Sequence, residues 1–178
     1  MVNYGATFTD WQRTQELAPM KYNRFEELPV WKAALELARG VFTLTSRPIF
    51  RRYYSVRNQL ERSAMSVSNN IAEGFERGTT QELLTFLYIA RGSSGETRSA
   101  LYLCECLEGF GDLKFEISNL KSKAEEISRQ LRAWANSLQN SDVRGQRYLT
   151  NKTRRASKET REREDFLKEL EQIRNRKS

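Results

Sequence analysis

Apolar residues recur at helical spacing along most of the chain. The first such segment lies between two prolines, Pro29 near its start, where a missing backbone N–H costs nothing, and Pro48 just after its end. The residue before a proline is disfavoured in helical conformation, so Ser46 and Arg47 close the segment. Its spacing of i, i+3, i+4 and i+7 predicts one buried stripe. That stripe consists of Trp31, Ala34, Leu35, Ala38, Val41 and Phe42.

Two further segments repeat this spacing. The second covers about residues 53–75, with apolar positions at Leu60, Ala64, Val67, Ile71 and Phe75. The third starts at Thr79 or Thr80 as its N-cap, and Glu82 stands three residues after Thr79, as in a capping box. We expect this helix to continue to about Phe110. Its apolar side consists of Leu83, Leu87, Ala90, Thr97, Leu101, Cys104 and Leu107.

The fourth segment has the most regular pattern. Its apolar positions alternate spacings of three and four, as in the seam of a left-handed bundle. They are Ile117, Leu120, Ala124, Ile127, Leu131, Trp134 and Leu138. Four long helices joined by short turns predict an all-α, antiparallel up-down-up-down four-helix bundle. We assign the bundle to residues 25–140, an N-terminal extension to residues 1–24 and a basic linker with a tail helix to residues 141–178.

Positive charge is concentrated in the tail. The chain carries a net charge of +7, and residues 141–178 hold 12 Lys/Arg against 7 Asp/Glu, whereas residues 26–140 hold 15 against 14. A near-neutral body with a basic appendage is typical of a protein that binds an anionic polymer. Six basic residues follow one another without an intervening acid: Arg144, Arg147, Lys152, Arg154, Arg155 and Lys158.

The composition excludes several kinds of chemistry. The 178 residues include no histidine, so His-based acid–base catalysis and His-containing metal sites are excluded. Cys104 and Cys106 are too few for a zinc site or a disulfide framework, and we expect both to be buried as small apolar residues, with a redox pair as the alternative. We therefore expect no enzymatic activity, no metal, no cofactor and no small-molecule substrate.

We also expect no targeting segment and no membrane span. Residues 1–20 contain no apolar core of a signal peptide, and no apolar run approaches the roughly 20 residues of a membrane span. We expect a soluble, cytoplasmic protein without a membrane partner.

One short run within the bundle combines basic and aromatic side chains. Arg51, Arg52 and Tyr53, followed by Tyr54, suit nucleic acid, because guanidinium groups pair with phosphates and rings stack on bases. The alternative is the start of a helix held by an aromatic staple. Together with the six basic residues of the tail, Arg51, Arg52 and Tyr53 form the predicted nucleic-acid-binding set.

Two polar clusters lie inside the predicted helices. Ser66 and residues 68–70 are costly within an amphipathic helix unless they face solvent, a partner subunit or a ligand. The Gly-Ser-Ser-Gly run at residues 92–95 predicts close approach of a neighbouring helix, since small residues otherwise only lower helix propensity. It does not have the frame of a phosphate-binding loop.

Three runs resemble a bacterial four-helix-bundle family found in 23S rRNA intervening sequences. They are Leu-Pro-Val-Trp-Lys-Ala at residues 28–33, Gln-Leu-Glu-Arg-Ser-Ala at residues 59–64 leading to Ser-Asn-Asn-Ile-Ala-Glu-Gly at residues 68–74, and Phe-Leu-Tyr-Ile-Ala-Arg-Gly-Ser at residues 86–93. The residues that carry this signature are Ser68, Asn69, Asn70, Glu73, Gly74, Gly92 and Ser93. The chain departs from the family pattern at Ser68, where a proline is expected, at Ser94, where a leucine is usual, and at Arg98, where an acid is common.

The resemblance implies a homo-oligomer, a pentameric barrel, without enzymatic activity and with a role in binding structured RNA. Related bundles act as accessory subunits of reverse transcriptases in diversity-generating retroelements, which makes such an enzyme the alternative partner. A third interpretation is an oligomeric protein scaffold whose tail binds nucleic acid nonspecifically.

Overall fold

A computed structural model of the chain describes residues 22–140 and four residues of the tail, 162, 163, 166 and 167, which are helical. The described body contains four α-helices and no strand. They are α1 (Pro29–Thr45), α2 (Tyr54–Glu76), α3 (Thr80–Cys106) and α4 (Lys114–Gln139). Single-turn 3-10 helices precede α1 (Phe25–Glu27), connect α1 to α2 (Pro48–Arg51) and precede α4 (Gly111–Leu113). The division at residues 24 and 140 stays a prediction.

Each helix packs against its neighbours in the chain, and α4 returns to pack against α1. The most extensive packing joins α2 to α3 and α3 to α4. Short connections and this order give the antiparallel four-helix bundle that the periodicity predicts, so the fold prediction is confirmed. Within the described residues, no helix is both long enough and apolar enough to span a membrane.

The predicted stripes of α2, α3 and α4 form most of the core. The large side chains of Leu60, Ile71, Leu101, Ile127 and Leu131 are all fully buried. Burying an aliphatic side chain of this size contributes about 1.5–3 kcal/mol, which makes this shared core the main source of stability. One seam position is only partly right: Trp134 is half-buried and packs against the core, and Ala135 beside it is fully buried. Both residues fit the seam, because the steps from 131 to 135 and from 135 to 138 also alternate four and three.

The stripe predicted for α1 is partly wrong. Leu35 and Phe42 are 42% and 43% exposed, whereas Leu37 and Leu44, which lie outside the predicted stripe, are buried. The helix has apolar residues on two faces, and periodicity alone does not tell which of them turns inward. The second face, consisting of the half-buried Trp31 with Leu35 and Phe42, is named the α1 ridge.

The third helix ends earlier than predicted, at Cys106 rather than near Phe110. Gly109 has a φ of +90°, and a Cβ on it would lie 2.7 Å from Cδ1 of Ile49, so glycine permits this turn. Cys104 is buried as expected, and burial raises the pKa of its thiol to about 11. Cys106, in contrast, is exposed, which corrects the prediction that both cysteines are buried.

The start of α3 confirms the N-cap half of the capping box. The N–H of Glu82 donates to Oγ1 of Thr79 at 3.2 Å, and the Thr79 hydroxyl donates to Oε2 of Glu82 at 2.6 Å. Thr79 is therefore the N-cap of the two threonines considered.

Candidate nucleic-acid interface

The α1–α2 and α3–α4 connections meet at one end of the bundle, which we name the loop end. The hydroxyl of Tyr53 donates to the carbonyl oxygen of Glu108 at 3.1 Å. The guanidinium of Arg52 pairs with the carboxylate of the same residue at 3.4 Å, with both side chains largely exposed. These contacts bring together residues that are more than fifty positions apart in the chain.

Three aromatic rings hold the loop end together. Phe50 and Phe110 are fully buried and pack edge to face with ring centroids 5.1 Å apart, and the ring of Tyr53 lies 5.5 Å from that of Phe110. Aromatic pairs of this geometry contribute about 0.5–1.5 kcal/mol beyond their buried area. Tyr53 is therefore half-buried within the fold, as in the alternative in which an aromatic staple begins the helix.

Other side chains at the loop end face solvent. Tyr54 is 69% exposed and Phe115 is 76% exposed. Arg51 and Lys114 are exposed, and neither makes an ion pair within the described residues. The loop-end patch comprises Arg51, Arg52, Tyr54, Lys114 and Phe115. Lys114 and Phe115 were not predicted, because only the topology brings the start of α4 to the same end of the bundle as the start of α2.

Two helices begin at the loop end without a side-chain cap. The N-cap residues Tyr53 of α2 and Leu113 of α4 make no side-chain hydrogen bond to their helices. The first turn of each helix therefore leaves backbone N–H groups at the positive end of the helix dipole, and such groups favour anions. Together with the basic side chains of the patch, they suit phosphate groups.

Acidic residues limit the positive charge of this end. Arg47 pairs with Glu116 at 3.7 Å. Arg57 pairs with Glu61 at 2.8 Å, and the hydroxyl of Thr45 donates to the same carboxylate at 2.7 Å. Partial burial alone would raise the pKa of Glu61, but the hydrogen bonds from Thr45 and Arg57 outweigh it and lower that pKa. The cations left without an ion pair within the described part of this end are Arg51 and Lys114.

The remaining basic residues of the prediction lie outside the described residues. They are Arg144, Arg147, Lys152, Arg154, Arg155 and Lys158. The chain leaves α4 at Asn140, at the end of the bundle opposite to the loop end. At 1.5 Å per residue the 26 residues of α4 span about 39 Å, so this exit lies far from Arg51.

Several polar side chains of α2 form hydrogen bonds at the interface with α3, and only some of the polar cluster faces solvent. The hydroxyls of Ser66 and Ser93 lie 2.9 Å apart, and the amide of Asn70 donates to the Ser66 hydroxyl at 2.9 Å. Deeper in the interface, the Thr97 hydroxyl lies 2.9 Å from that of Ser63. These hydroxyls form a polar seam inside the subunit.

The other signature residues have separate roles. A Cβ on Gly74 would lie 2.7 Å from Cβ of Phe86, so this glycine allows α2 to approach α3. Ser68 is buried and donates to the carbonyl oxygen of Met65. Glu73 pairs with Arg77, the C-cap residue of α2, and Asn69 is exposed.

The prediction of close packing at residues 92–95 holds for its serines and not for its glycines. Ser94 is fully buried and donates to the carbonyl oxygen of Ala124 on α4 at 2.7 Å. A Cβ on Gly92 or Gly95 would meet no atom within 4 Å. The serines face the neighbouring helices, whereas the two glycines lie on the outer side of α3.

Within residues 22–140 and the four described tail positions, no three His, Cys, Asp or Glu side chains lie close enough to hold a metal ion. The loop end presents cations, aromatic rings and backbone N–H groups.

Comparison with known proteins gives a family match and structural matches. A family model described as 23S rRNA-intervening sequence protein matches residues 26–133. A crystal structure of a protein with unknown function from the S23 ribosomal protein family of Bacteroides thetaiotaomicron aligns with a TM-score of 0.53 at 21% identity. The alignment covers 60% of this chain and 97% of that chain, and at this identity it shows the fold alone. No curated protein matches, and neither description names an enzyme.

Proposed function

Because the chain belongs to the family of 23S rRNA-intervening sequence proteins, we propose that it is a non-catalytic protein that binds structured RNA. The observation that carries this proposal is the composition of the loop-end patch. It combines the unpaired cations Arg51 and Lys114, the exposed rings of Tyr54 and Phe115 and two uncapped helix N-termini. Rings of this kind stack on unpaired bases, and the cations and N–H groups bind phosphates.

The tail supplies a second, less selective contact. Its six successive basic residues can each neutralise one phosphate, and phosphate contacts position a nucleic acid without reading its sequence. Each contact releases counterions, so log K falls with log salt by about 0.7–0.9 per phosphate. We propose that the tail provides most of the affinity and the loop-end patch the preference for loops and unpaired bases. This function requires a location in the cytoplasm.

The test measures binding of the full chain to a folded RNA with single-stranded loops, titrated at several salt concentrations. The double variant Arg51→Gln/Lys114→Gln should weaken binding and reduce the salt slope by about 1.4–1.8. Tyr54→Ser should weaken binding to the looped RNA by about 1–3 kcal/mol and leave binding to a blunt duplex unchanged.

A matched control removes the same charge elsewhere. Lys32 and Arg132 are exposed and make no ion pair within the described part of the chain, and both lie far from the loop end. If Lys32→Gln/Arg132→Gln weakens binding as much as the patch variant does, only net charge matters and the patch is not the site. If the full chain binds no RNA at moderate salt, the proposal fails and the accessory role with a reverse transcriptase becomes the better explanation.

We further propose that the protein is a homo-oligomer, for which the family resemblance indicates five subunits. The α1 ridge supports this proposal, because Leu35 and Phe42 leave apolar surface on a face that no other described element covers. Light scattering of Phe42→Asp should show smaller particles than the wild-type chain, and the neighbouring Thr43→Asp should not. A monomeric wild-type chain at tens of micromolar would exclude self-association through this face.

A further inference from the structure

The outer face of α3 carries a line of small residues with larger apolar side chains on both sides of it. Its centre line consists of one small residue every seventh position, Thr85, Gly92, Ser99 and Cys106. Large exposed apolar side chains stand on both sides: Tyr88, Ile89, Tyr102 and Leu103, between 42% and 55% exposed. We name this surface the α3 groove.

The fold of the bundle does not require the small residue in the middle of the groove. A Cβ on Gly92 would meet no atom within 4 Å. Glycine inside a helix costs roughly 1 kcal/mol relative to alanine. The absent side chain therefore leaves room for something outside the bundle.

The chain leaves the bundle beside this groove. The side-chain amide of Gln139, the last residue of α4, donates to the hydroxyl of Tyr88 at 3.0 Å. Everything from Asn140 onwards therefore starts at one end of the groove.

The sequence beyond this exit contains a complementary apolar stripe. Phe166, Leu167, Leu170 and Ile173 share one side of a helix, and the first two are 60% and 52% exposed. Residues 158–177 would form a helix of about 30 Å, and the groove from Thr85 to Cys106 is about 32 Å long. The 17 residues of the linker, 141–157, reach about 55–60 Å when extended, which allows either orientation.

We propose that residues 158–177 of the chain pack lengthwise into its own α3 groove. The apolar stripe of the tail covers the small centre line and contacts the flanking rings and leucine. An isolated helix of about 20 residues is only marginally stable in water, so docking stabilises it. The basic run of residues 144–158 is then anchored at both ends beside the body, which lowers the entropy it loses on binding a polyanion.

The native Cys106 at the end of the groove reports on docking. N-ethylmaleimide at neutral pH should alkylate Cys106 selectively, because Cys104 is buried and its pKa is about 11. Mass spectrometry identifies the alkylated cysteine. In the full chain Cys106 should react slowly. Leu170→Asp disrupts the stripe, and Gly92→Leu adds a large side chain to the groove at a position where a Cβ meets no atom of the bundle. Each should accelerate the reaction about tenfold.

Two controls match these variants. Gln172→Asp adds the same charge to the opposite side of the tail helix, and Ser122→Leu adds the same side chain to an exposed position on α4. Both should leave the rate unchanged. Hydrogen exchange at residues 162–167 gives a second measurement, since amides protected in the wild-type chain should exchange faster in Gly92→Leu while the body amides do not.

Equal Cys106 rates in all five proteins would overturn the proposal. Protection of Cys106 from alkylation that disappears when the protein is diluted would also overturn the proposal, because the groove would then hold a second copy of the chain. The experiment contains no RNA, so its outcome is independent of the proposed function.

Discussion

Two leucines of α1 allow a direct test of how this helix is oriented. The periodicity places Leu35 in the core, whereas the structure buries Leu37 completely and leaves Leu35 42% exposed. The substitutions Leu37→Ala and Leu35→Ala remove the same atoms from the same helix. Their costs in unfolding free energy therefore differ only through their surroundings.

The structure sets the expected magnitudes. At Leu37 the lost burial is accompanied by a closed cavity, and such substitutions cost about 3–4 kcal/mol. At Leu35 just over half of the side-chain surface is buried and water fills the space, so the loss is about 1 kcal/mol. The difference of about 2–3 kcal/mol corresponds to a midpoint shift of about 1.5 M in urea.

The assay is urea unfolding of the full-length variants, followed by circular dichroism at several protein concentrations. Equal costs, or a larger cost at Leu35 at every concentration, would mean that α1 is rotated relative to the structure. A cost at Leu35 that grows with protein concentration instead reports self-association through the α1 ridge, since assembly stabilises the folded subunit.

Three further substitutions test other features. Gly109→Ala should cost about 1–3 kcal/mol in urea unfolding because of its positive φ, whereas Gly111→Ala, whose Cβ meets no atom, should cost far less. Ala135→Asp should abolish cooperative unfolding by placing an unpaired carboxylate in the core, and the exposed Asn136→Asp should not. The folded-state pKa of Glu61 is lowered, so its contribution is complete above the unfolded pKa of about 4.3 and is lost as the pH falls below it. Glu61→Gln should therefore destabilise the protein at pH 7 and progressively less below about pH 4.

Periodicity predicted the helices well where apolar residues occupy one face only. On α2 and on most of α4 a single row of aliphatic residues leaves one choice of inward face, and Leu60, Ile71 and Leu131 are buried as expected. On α1 two rows compete, and the choice depends on the shape of the neighbouring helices, which no local pattern contains.

The site was predictable only in part. Arg51 is exposed as the basic and aromatic motif suggested, but Tyr53 packs inward because Glu108 and Phe110 of a distant loop supply its partners. Lys114 and Phe115 are ordinary residues at the start of a helix, and they join the patch only because an antiparallel bundle places that start at the same end as Arg51.

The polar seam between α2 and α3 has a consequence for how the chain folds. Leucine and valine rows can interlock at several offsets, since sliding one helix by a turn of 5.4 Å exchanges one apolar contact for another. The hydroxyls of Ser63 and Thr97 are bonded to each other only in one register. A shift would break this bond at a cost of about 0.5–1.5 kcal/mol, although each hydroxyl would keep a carbonyl acceptor on its own helix. Misaligned compact states are therefore penalised by a few hydroxyl groups, while the aliphatic side chains provide the cohesion that all of these states share.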